Sequence, residues 1–139
     1  MNTAAQQNTR TPKVLNGLLP YIMVDGAVKA AEFYTRAFAA AEEHRVPADE
    51  SGRTMHIHLH VNGSSLMLSD PYPEYGQPLK TPQGYSLQLV VDDIDTWWKR
   101  AVDAGAEVIM PVEKMFWGGR YGQLKDPFGV IWAISGPVE

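Results

Sequence analysis

The chain has 139 residues, a hydrophobic fraction of 45%, a formal net charge of −4 and no cysteine. That length suits one compact domain or two closely packed halves, and the mild negative charge without a basic run excludes nucleic acid and anionic membranes as expected partners. The missing thiols rule out disulfides, thiolate metal sites and thiol nucleophiles, and no apolar stretch approaches the ~20 residues that span a bilayer. Met1 to Lys13 is polar, rich in Asn, Gln and Thr, and without periodicity. Nothing there has the basic-then-apolar layout of a secretory signal, so a cytoplasmic protein is expected. Residues 1–14 read as a flexible tail, with structure beginning near Leu15.

From there Leu18 to Val24 reads as a strand, and Ala27 to Ala40 as a helix with Val28, Ala31, Phe33, Tyr34, Ala37 and Phe38 at helical spacing. Asp25 or Gly26 is its expected cap. Glu42 to Val46 and Thr54 to Val61 follow as strands around a Pro47 to Gly52 turn, and Asn62-Gly63 predicts a tight hairpin into Ser65 to Ser69. Asp70 to Gly84, with four prolines and two glycines, is a linker. The second half repeats the order. It has a strand Ser86 to Val91, a helix Ile94 to Ala104 closed by Gly105, and strands Glu107 to Met110, Tyr121 to Lys125 and Val130 to Ser135. Two segments match between the halves: Val24-Asp25 recurs as Val91-Asp92, and Asn62 to Ser69 lies over Phe128 to Ser135 with Gly under Gly and Ser under Ser. A repeat of this length predicts one α+β domain over 15–139, built from two tandem βαβββ modules at about 15–70 and 84–136.

Several motifs carry a resemblance: Ala30-Ala31-Glu32-Phe33-Tyr34, Leu66-Met67-Leu68-Ser69-Asp70, Val91-Asp92-Asp93-Ile94-Asp95, Ala101-Val102-Asp103-Ala104-Gly105-Ala106, Trp117-Gly118-Gly119-Arg120-Tyr121-Gly122 and Asp126-Pro127-Phe128-Gly129. In order and spacing the chain resembles the vicinal oxygen chelate superfamily of glyoxalase I, extradiol dioxygenases, fosfomycin-resistance enzymes and bleomycin-resistance proteins, in its PhnB-like branch. The resemblance implies a curled mixed sheet around a cavity with the helices outside. It also implies a divalent metal held by the first and last strands of each module. Those positions fall here at Leu19, Met67, Ser86 and Ala133. None supplies the imidazole or carboxylate that such an ion needs, so no cofactor is expected there.

The segment Thr54 to Val61 places His56, His58 and His60 on one face of a strand and Met55, Ile57, Leu59 and Val61 on the other. With the apolar face under the first helix, the imidazoles face the cavity. They either line a pocket or form a displaced site for a divalent metal ion. Tyr21, Met23, Met67, Gln88 and Val90 face the cavity by strand parity. Trp117, Arg120 and Tyr121 lie on a glycine-loosened loop, where Arg120 either binds an acidic group of a ligand or pairs with Asp126. Asp92, Asp93 and Asp95 at a helix start are explained by capping. The candidate ligand-binding set is therefore Tyr21, His56, His58, Met67, Gln88, Trp117, Arg120 and Tyr121. Two functions stay open: a metal-free protein that encloses a small organic molecule, and a metal-dependent lyase, isomerase or dioxygenase built on His56, His58 and His60. A homodimer is expected, with Trp97 and Trp98 as an exposed aromatic patch.

Overall fold

The computed structural model describes residues 10 to 138. The tail reading of residues 1–9 lies outside the described residues. Residues 10–14, read as part of the same tail, run as coil, and the Arg10 guanidinium meets the Glu43 carboxylate at 2.6 Å.

The strands are β1 (Tyr21–Met23), β2 (Ala41–Arg45), β3 (Ile57–Val61), β4 (Ser64–Ser69), β5 (Leu87–Val90), β6 (Glu107–Lys114), β7 (Gly119–Lys125) and β8 (Ile131–Pro137). Helix α1 (Ala27–Phe38) follows β1 and helix α2 (Ile94–Ala104) follows β5. The repeat read from the sequence is present as two four-stranded mixed sheets of the same order, β1-β4-β3-β2 and β5-β8-β7-β6. In each, the first strand runs parallel to the last and the remaining pairs are antiparallel. The sheets do not close into one. They are linked at the hairpin where Asn62 and Gly63 take positive φ, and there Asn62 Nδ2 donates to the Val90 carbonyl at 3.0 Å.

Helix α1 buries Ala27, Ala30, Ala31, Phe33, Tyr34, Ala37 and Phe38. Those i, i+3, i+4 and i+7 positions make a stripe wider than one sheet alone would cover. Part of it covers β3, where Ile57 and Leu59 are 0% exposed. The rest reaches the second module: the Phe38 and Trp132 rings stand 4.3 Å apart, and Tyr34 Oη donates to Asp126 at 2.6 Å. The Asp126 carboxylate also accepts from Trp132 Nε1 and from the backbone N–H groups of Phe128 and Val130. A buried carboxylate with four donors is fully compensated, and this one joins the two modules. Burial, and then the Asp126 charge, hold the Tyr34 phenol well above its usual range.

Several expectations change in detail. The α1 cap falls on Gly26, but the capping oxygen comes from Asp70 beyond β4, which accepts from Gly26 N and Ala27 N at 2.8 and 2.9 Å and from Thr54 N. The helix stops at Phe38 because Ala39 turns left-handed at φ 54. The first strand is short, since Leu18 to Pro20 lie outside the ladder, although the Pro20 carbonyl still accepts from Met67 N. Strand β6 continues through Pro111 to Lys114; it is an edge strand, where a proline need not interrupt a ladder.

Trp97 and Trp98 do not form the exposed aromatic patch expected of them. Both are half-buried against the core. The Arg100 guanidinium covers the Trp97 ring at 4.4 Å, and Trp98 lies over Gly122, where a Cβ would meet its ring at 2.7 Å. The adjacent pair Phe116 and Trp117 is exposed instead, at 96% and 56%. Among the described residues no helix is long and apolar enough to cross a membrane.

Candidate functional site

Each sheet has one face under helices and one face turned away from them. On the open face of the first module, register aligns Tyr21, Met67, His58 and His44 in one row across β1, β4, β3 and β2. His44 was missed in the sequence because its β2 offset depends on a bulge between Glu42 and His44, which no local pattern announces. The imidazoles form a line along this face. Ring centroids are 6.2 Å apart for His44 and His56, 6.4 Å for His56 and His58, and 5.2 Å for His58 and His60.

The line has an open end and a covered end. His58 is on the expected face yet only 1% exposed. Its Nε2 is 2.7 Å from Ser65 Oγ, which also accepts from Leu15 N. His60 Nε2 is 2.7 Å from the Lys13 carbonyl and therefore donates to it. Residues 13–15 thus close over His58 and His60. Burial, reinforced by positive charge on His60, lowers the His58 pKa, and burial with positive charge on His44 lowers that of His56. Beside the covered end, the Lys13 backbone N–H and then the Arg10 side chain hold the Glu43 carboxyl down at about 2.

At the open end, Tyr21 and His56 meet at 2.9 Å through Oη and Nδ1. Burial raises the Tyr21 phenol above its ordinary value. Two adjoining cavities of about 300 and 270 Å³ flank β1 and share Met23 and Gln77. The larger runs from Tyr21 under the linker as far as Tyr85, with Lys80 on its wall, and the smaller is walled by Met23, Met55, Tyr72 and Tyr75. The linker is therefore a roof. It is fixed by Arg53, whose guanidinium stacks on Tyr72 at 4.3 Å and grips Glu74 through both terminal nitrogens. Sequence reasoning read this segment only as punctuation, because its prolines and glycines say where regular structure stops and not where the chain then goes.

The other candidates lie elsewhere. On the second module Gln88 shares a row with Ala133, Gln123 and Met110. Tyr121 Oη accepts from Gln123 Nε2 and has the Trp117 ring at 5.8 Å. Arg120 does not pair with Asp126; it grips Asp95 at the start of α2 with two bonds of 3.1 and 2.6 Å. Asp93 caps that helix through Thr96 N, as expected.

The donor set implied by the metal enzymes does not fit these residues. Register places Tyr21 opposite Met67 and Gln88 opposite Ala133, in place of Leu19 and Ser86. Even this exchange yields one phenol, one amide and one thioether, without an imidazole or carboxylate. Among the described residues no three His, Asp or Glu side chains are grouped to hold an ion, the histidine line included.

A family model described as the Glyoxalase/Bleomycin resistance protein/Dioxygenase superfamily matches residues 15–134. The chain belongs to that superfamily. An uncharacterized protein of Mycobacterium tuberculosis is 38% identical over 140 aligned positions, covering 96% of this chain and 82% of that protein. Among solved structures, the protein PA1353 of Pseudomonas aeruginosa aligns with a TM-score of 0.72 at 29% identity, over 88% of this chain and 98% of that one. A PhnB protein of Bacillus cereus, titled a putative 3-demethylubiquinone-9 3-methyltransferase, aligns at 0.67 and 25%, over 86% and 98%. The superfamily fold accounts for the paired modules.

Proposed function

We propose that this member of the superfamily binds a small organic molecule on the open face of the first module, without the metal of its enzymatic relatives. The observation that carries the reading is the pair of roofed cavities beside Tyr21 and Met23, with apolar and aromatic walls and a few polar groups to orient a ligand. A PhnB-like placement agrees with the Bacillus cereus relative. We further propose a homodimer, now on the basis of the exposed Phe116 and Trp117.

Thermal-shift screening of small aromatic compounds tests the binding. A ligand should raise the melting temperature equally before and after dialysis against a chelator, and Met23→Trp, which fills the space shared by both cavities, should abolish the shift. A shift that depends on added metal, or that survives Met23→Trp, would overturn the reading. Titration with Zn²⁺, Ni²⁺, Mn²⁺ or Fe²⁺ should give no stoichiometric binding. If it did, and replacing His56, His58 and His60 together by Ala removed it, the metal-dependent lyase, isomerase or dioxygenase would replace this proposal.

A further inference from the structure

The charges around the roofed cavities do not balance, and the imbalance falls on one wall. Arg53 is spent on Glu74, the Asp49 carboxylate is held by Ser51 and the Arg53 backbone N–H, and Asp70 accepts from three backbone N–H groups. Lys80 differs. It lines the cavity of about 300 Å³ beside Tyr21 and, among the described residues, makes no ion pair. No Asp or Glu stands on that wall. Asp25 borders a separate cavity that Lys80 also reaches, and the two are not paired. The segment that carries Lys80 is anchored. Tyr72 and Gln77 exchange both backbone hydrogen bonds at 2.6 and 2.9 Å, and Pro78 and Pro82 fix φ on either side of the lysine.

Resting on the cavity-binding reading, we propose that the ligand is a small monoanionic carboxylate on a flat apolar body, and that Lys80 is its counter-ion. One cation matches one negative charge, whereas a phosphate ester carries nearly two. A carboxylate only accepts hydrogen bonds, and Gln77, Thr81, Gln83 and Tyr85 on the same cavity each have a hydrogen to donate beside the ammonium. The body lies against Met23 and the Tyr21 ring, whose own hydroxyl is spent on the Met55 carbonyl. At about 300 Å³ the space is at the lower end of ligand pockets, so it takes one ring or two fused rings.

Calorimetric titration of the full chain with benzoate, phenylacetate and 2-naphthoate, each against its primary amide, tests the charge at constant shape. At pH 7 and low salt the carboxylate of a pair should bind about fivefold more tightly, the upper range for an exposed ion pair. That ratio should shrink toward one in about 1 M salt, where the Debye length is about 3 Å. Lys80→Met should erase the preference and Lys80→Arg should keep it. Both should leave the melting temperature unchanged, since Lys80 has no ion-pair partner to lose. Met23→Trp should abolish binding of carboxylate and amide alike. Equal affinities, an amide preference, or a preference that survives Lys80→Met would overturn the inference and leave the cavity reading standing, as long as Met23→Trp blocks binding. Binding that survives Met23→Trp would overturn both. If no member of any pair bound, the counter-ion role and the cavity reading would fall together.

Discussion

The two modules repeat one strand order, yet their open faces are chemically unlike. The first carries the row Tyr21, Met67, His58 and His44, roofed at one end by the linker and covered at the other by residues 13–15. The second carries Gln88, Ala133, Gln123 and Met110, and its neighbour Val90 is 72% exposed. Duplication fixed which positions share a row, and the side chains at those positions decide what each row can do. Superfamily membership therefore constrains geometry far more than chemistry.

The largest effect should come from cutting the link between the modules. Asp126→Ala leaves the Tyr34 hydroxyl, the Trp132 indole and two backbone N–H groups without their acceptor, and each such orphan costs about 1 to 3 kcal/mol. A loss of about 4 kcal/mol in urea unfolding is expected. Tyr34→Phe, which removes one donor and keeps the ring, should cost about 1 kcal/mol. Similar losses for the two variants would mean that Asp126 does not join the halves.

The two faces of β3 should respond differently. Leu59→Ala empties a fully buried site under α1 and should cost about 3 kcal/mol. His60→Ala on the other face removes one hydrogen bond to Lys13 and should cost about 1 kcal/mol. Equal costs by denaturant unfolding would put the strand in the wrong register. Gly122→Ala in the second module should cost about 2 kcal/mol by forcing Trp98 off its contact.

What the sequence disclosed followed from local rules. Helix α2 runs from Ile94 to Ala104 as read, because Asp93 and Gly105 cap it with neighbouring atoms. The alternation around Ile57 and Leu59 placed the histidines on one face without any tertiary information. The misses required partners distant in the chain. Asp70 caps a helix that begins 43 residues earlier, and Arg120 finds Asp95 across 25 residues. The cavity roof is a linker whose path is set by Arg53 gripping Glu74.

The smallest effects concern pH, and they separate the two middle histidines of the line from the salt-bridged coil beside it. His56 and His58 are both held below the ordinary imidazole value of about 6.5. As pH falls below that value the unfolded chain takes up protons that the folded rings refuse, so stability declines from about pH 6.5 down to the lowered folded values. Glu43 acts in another window. Its folded value of about 2 lies below the ordinary carboxylate range, so its contribution is complete above about pH 4.5 and is lost as pH falls toward 2. Melting temperatures recorded from pH 8 to pH 3 should therefore fall in two stages. The paired substitution His56→Gln and His58→Gln should flatten the first stage and leave the second, while Glu43→Gln should flatten the second. The charged groups that bear on the first stage are His44 from β2, His60 from the same strand and Glu43. Only Glu43 opposes the downward shift of His58. Glu43→Gln should consequently also deepen the first stage slightly, because the folded His58 would take up its proton only at a still lower pH while the unfolded chain takes it up as before; a steeper first stage at the same starting pH is the signature, since the folded and unfolded proton affinities then differ more.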